Sequence, residues 1–84
     1  MKKQKQYVAA IDVRPGQEFL HYGLAYRRAT DEEALRHPGR ELAAKQGRDL
    51  VLAYQGEGDR RQPVQFVPDL GVNALVGRNQ GGRR

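Results

Sequence analysis

Apolar and polar residues alternate along the first part of the chain. From Gln6 to Val13, Tyr7, Ala9, Ile11 and Val13 fall on one face, and Val8, Ala10 and Asp12 on the other. This two-residue period predicts a strand. Arg14-Pro15-Gly16-Gln17 then predicts a turn. Proline presets φ at the second position, and glycine accepts a positive φ at the third. The alternation resumes from Glu18 to about Arg28. Leu20, Tyr22, Leu24 and Tyr26 share one face; Phe19, His21, Gly23, Ala25 and Arg27 share the other. The two segments are expected to pair as a hairpin, with the leucine and tyrosine face toward the core. Gly23 inside the second strand points to a bulge or a close approach by another element.

The period then changes. Thr30-Asp31-Glu32-Glu33 has the form of a capping box, and its acids suit the positive end of a helix. His37-Pro38-Gly39 interrupts that helix, because proline lacks an amide hydrogen and disfavours helix at the residue before it. Two outcomes fit: a helix over 31–36 and a second from Pro38 to Gln46, or one kinked helix. Proline at a first helical position favours the former. Leu35, Leu42 and Ala43 are the expected inward side chains, and Gly47 the expected C-cap. Asp49 to Gln55 reads as a third strand, and 56–61 as a polar loop. Pro63 to Pro68 is a short strand bracketed by prolines, which places it at a sheet edge or in an isolated extended segment. Asp69 to Val76 fits either a helical turn or a last strand. The expected fold class is α+β. Its order is β-β-α-β-β, with a mostly antiparallel sheet and one broken or kinked helix on one face.

A length of 84 residues allows one domain and no large enclosed active site. The absence of cysteine excludes disulfide scaffolds, thiol catalysis and cysteine-ligated zinc, and a cytoplasmic location is expected. The apolar stretch Tyr7 to Ile11 is too short for a signal peptide, and no run approaches the ~20 apolar residues of a membrane span. A soluble chain without a membrane partner is therefore expected.

Net charge is +5, but it is unevenly divided. Residues 1–5 carry +3 and residues 78–84 another +3, leaving −1 for residues 6–77 from 9 basic and 10 acidic side chains. The division expected is a basic tail over 1–5, a domain over 6–76 and a flexible Gly/Arg-rich arm over 77–84. Basic ends of this kind bind phosphate backbones by displacing counterions. The bland alternative is that they keep the chain soluble.

Catalytic chemistry has few carriers. There is no serine or cysteine, and the sole threonine, Thr30, is used by the capping box. Asp31, Glu32 and Glu33 have a sufficient reason in the helix end. His21 and His37 lie in different elements without ligand spacing, so no metal is expected. No phosphate-cradling glycine loop is present, and no cofactor is expected. The remaining cluster is His21 to Arg28, where aromatic and basic residues interleave as on sheets that bind single strands. With Tyr22 and Tyr26 assigned to the core, Phe19 is the ring left to stack, beside His21 and Arg27.

Two functions are expected from these residues. One is a small basic non-catalytic nucleic-acid-binding accessory protein. Its phosphate contacts would be Lys2, Lys3, Lys5, Arg27, Arg28, Arg60, Arg61, Arg78, Arg83 and Arg84. The other is a phage or mobile-element inhibitor that covers a larger host protein complex, for example a CRISPR effector. There the edge at Val64 to Val67 would add a strand to its target, or pair two copies of the chain as a homodimer.

Overall fold

The computed structural model describes residues 3–56 and 58–77. Six strands form one antiparallel sheet: β1 (Lys3–Ala9), β2 (Glu18–His21), β3 (Leu24–Arg28), β4 (Val51–Gln55), β5 (Gln62–Phe66) and β6 (Gly71–Gly77). Their order across the sheet is β1-β6-β2-β3-β4-β5. Two helices, α1 (Asp31–Ala34) and α2 (Gly39–Gln46), lie between β3 and β4 in the chain. The order is thus three strands, two helices and three strands, where β-β-α-β-β was expected. The interrupted helix is two separate helices.

Two local features explain most of the difference. The segment expected as one strand over 18–28 is a hairpin, folded at Tyr22-Gly23. Both turn residues have positive φ, 52° and 76°. That is the backbone of a two-residue hairpin turn whose twist matches the flanking strands. Gly23 therefore marks neither a bulge nor a close approach. The second feature is β6, the segment that fitted either helix or strand. It lies between β1 and β2, so the expected β1–β2 hairpin does not form.

The turn at Pro15-Gly16 forms as expected. The Gln17 amide donates to the Arg14 carbonyl at 3.0 Å, and Gly16 has φ 81°. Its neighbours join β3 instead of β6: the Gly16 amide donates to the Arg28 carbonyl at 2.8 Å.

The sheet is curled. In a flat sheet, β2 and β5 would stand roughly 14 Å apart, three strand spacings. Yet the Phe66 ring of β5 lies 5.5 Å from Phe19 and 5.6 Å from His21 of β2, and 5.1 Å from Tyr26 of β3. These rings meet on the concave face with Val51, Ala53, Val72 and Ala74, and Ala10 and Val13 complete the core. Phe19 is 0% exposed, the largest of the fully buried side chains. The inward face of β2 is thus the reverse of the one expected, and Phe19 is not available to stack on a ligand. The first strand buries residues from both of its expected faces. Tyr7 and Ile11 are exposed, and a 3-10 turn at Ala10–Asp12 brings Ala10 and Val13 inward.

The helices cover only one end of the outer face. Thr30 caps α1 through the full capping box: the Glu33 amide donates to Oγ1 of Thr30 at 3.2 Å, and the Thr30 amide donates to Oε1 of Glu33 at 3.0 Å. Gly47 ends α2 in the left-handed conformation. The Arg48 amide donates to the Ala43 carbonyl and the Gly47 amide to the Ala44 carbonyl, both at 3.2 Å. Leu35 and Leu42, expected inward, are exposed, and Ala43 is half-buried. His37 provides the anchor instead. It is buried between α1 and α2. Its Nδ1 accepts from the Gly39 amide at 2.9 Å, so in the neutral ring Nε2 carries the proton and faces the Ala53 carbonyl at 2.9 Å. A side chain at Gly39 would press on Leu52, Gln65 and His37, so glycine allows α2 to sit against β4 and β5.

Candidate nucleic-acid interface

The β1–β6 pair runs from Ala9↔Gly71 to Lys3↔Gly77. β2 pairs with β6 only at Phe19↔Ala74 and Leu20↔Asn73. The pairs from Lys5↔Leu75 outward therefore extend as a two-stranded ribbon beyond the last β2 pairing. Gln4, Lys5 and Gln6 are all exposed there. The register also gives the points from which the two basic ends continue. Because Lys3 is opposite Gly77, the peptide bonds leading to Lys2 and to Arg78 start from the same end of one ribbon. Lys2, Arg78, Arg83 and Arg84 themselves, and with them the expected C-terminal arm, lie outside the described residues.

The other predicted basic residues divide differently. Arg28 is a structural tie: its Nη1 donates to the carbonyls of Ile11 at 2.9 Å and Val13 at 2.5 Å. This satisfies one carbonyl of the 3-10 turn at Ala10–Asp12 and that of its C-cap, tying both to β3. Arg61 pairs with Glu33 at 2.5 Å and lies over the Tyr54 ring, 4.0 Å from its centre. The Thr30 amide and then the Arg61 guanidinium hold the Glu33 carboxyl below its ordinary value. Arg27 lines the same small cleft as Arg61 and Glu33 and is in register with Glu18. Arg60 is exposed on a 3-10 turn at Gly58–Arg60. The structure thus brings Arg27 and Arg61 to one cleft, where Arg61 is already paired with the Glu33 carboxylate. Lys3 and Lys5 stand apart from them on the ribbon.

Two aromatic residues were missed as surface rings. Tyr7 is 75% exposed on β1, and Tyr22 is 91% exposed in the β2–β3 turn. They flank an open cleft of about 420 Å³ lined by Leu20, Leu70, Gly71, Val72 and Asn73. The signal available in the sequence was Tyr22-Gly23, a bulky residue before glycine at the midpoint of an 11-residue alternation too long for one ordinary strand. His21, the other predicted neighbour, lies partly inside, its ring 4.4 Å from Tyr22 and 5.6 Å from Phe66.

Among the described residues, no group of three or more His, Asp or Glu side chains is placed to hold a metal, and no helix is long and apolar enough to cross a membrane. Comparison of the chain with protein-family models, with curated proteins and with solved structures finds no match.

Proposed function

We propose that the chain is a small non-catalytic nucleic-acid-binding protein that grips the phosphate backbone with its Lys- and Arg-bearing ends. The observation that carries this reading is the Lys3↔Gly77 register. The strands that lead into the two segments of +3 each end side by side on one ribbon, and the rest of the chain is nearly neutral. Charge concentrated in this way, with no core to build from it, suits counterion displacement along a polyanion. The test is fluorescence anisotropy with random single- and double-stranded DNA and RNA, titrated across salt. Binding with a steep negative salt slope is expected. In Lys3→Gln/Lys5→Gln the slope should flatten by about 0.7–0.9 per lysine engaged. No binding at low salt overturns the reading.

A second reading is a protein inhibitor that adds a strand to its target. It is favoured by the terminal position of β5, which carries Pro63 and has no strand beyond it among the described residues. Such a complex would persist at salt concentrations that release nucleic acid.

A further inference from the structure

We infer that the cleft between Tyr7 and Tyr22 holds an unpaired base, which makes single-stranded nucleic acid the substrate class of this protein; the inference rests on the nucleic-acid reading above.

Tyr22 is the first indication. It is the one residue other than glycine with positive φ among the described residues, at 52°, and it is 91% exposed. A bulky side chain is disfavoured in this conformation, and turns of this kind prefer asparagine or glycine there. The ring gains almost no burial in return. Its single ring contact is with His21, at 53° between planes, which props one side and leaves the rest open. A conformational cost without a packing gain points to a contact outside the chain.

Tyr7 is the second. Its phenol lies directly over Gly71, where any Cβ would collide with it. The glycine lets the ring lie across the β1–β6 pair while staying 75% exposed. Two exposed rings thus border a cleft about 420 Å³ in volume. Leu20 and Leu70 give it apolar surface for a base, and Asn73 adds a carboxamide that can donate to or accept from a base edge.

Charge decides among occupants. Lys5 shares the outer face with Tyr7 two residues along β1, roughly 7 Å away, so a stacked nucleotide would have a cation beside its backbone. Duplex bases have no free face for such stacking, whereas every unpaired base has one.

The test uses the full chain and oligonucleotides of equal length: single-stranded DNA, single-stranded RNA, a duplex, and an abasic strand. Tyr22→Asn removes the ring while suiting the turn, and Tyr7→Leu keeps Gly71 covered, so neither variant depends on a disrupted fold. Each should bind the single strands about tenfold more weakly, with an unchanged salt slope and unchanged duplex affinity. Tyr22→Phe should restore binding, and the abasic strand should bind the native chain as weakly as the variants do. Equal binding of the abasic strand, or variants that match the native chain, overturns the cleft assignment but leaves the phosphate reading standing. No binding of any oligonucleotide at low salt overturns both.

Discussion

The outer face of the sheet has two unlike halves. Over β4 and β5 it carries both helices, with His37 buried, Tyr54 beneath Arg61, and Gly39 closed against Leu52 and Gln65. Over β1, β6 and the β2–β3 turn it carries none. There Tyr7 and Tyr22 stand in the open, with Lys5 two residues from Tyr7 along β1. Both halves back onto the same concave core, so the bare half does not lack a partner for folding. The covered half ties Thr30, Glu33, His37 and Arg61 into internal bonds. The bare half exposes Tyr7 and Tyr22, on which the proposed binding rests.

The most severe test of this contrast is His37→Ala. It removes a buried ring, leaves the Gly39 amide without its acceptor, and takes the donor from the Ala53 carbonyl. A loss of about 3 kcal/mol is expected in urea unfolding, with an unchanged m-value. A loss near zero would mean that the helices are ornaments on this half and not part of its core.

A smaller effect is expected at the helix start. Thr30→Ala should cost about 1 kcal/mol by removing the cap. Glu33 also makes the covered half sensitive to acid. Its folded-state carboxyl lies below the ordinary 4.5, so its contribution is complete above that value and is lost as pH falls through the lower folded value. Glu33→Gln, which removes the titrating carboxyl, should therefore show a flatter acid limb in stability against pH. Equal acid limbs would place the effect elsewhere.

The smallest change, of opposite sign, belongs to the bare half. Tyr22→Asn should leave stability unchanged or raise it by up to about 1 kcal/mol, measured as the shift of the thermal midpoint. A clear loss would show that the ring supports the fold, and the contrast between the halves would fail at its sharpest point.

The sequence by itself determined what depends on near neighbours. The capping box at Thr30, the Pro15-Gly16 turn and the Gly47 cap are set within a few residues, and each formed as the residues predicted. The prolines left β5 either at a sheet edge or as an isolated extended segment, and it lies at the edge among the described residues, where a missing amide hydrogen is tolerated. The uneven charge is a property of the chain alone. The tertiary structure decided what depends on distant partners. Both faces of residues 18–28 carry apolar side chains, so a two-residue period could not choose between Phe19 and Leu20 as the inward residue. The choice came from Phe66, forty-seven positions beyond Phe19, once the sheet curled. Likewise, nothing local could insert β6 between β1 and β2, because strand pairing is specified by long-range register. That single insertion brings Lys3 to Gly77 and Tyr7 across from Asn73. The proposed interface is therefore assembled only in the folded chain, although its residues are all visible in the sequence.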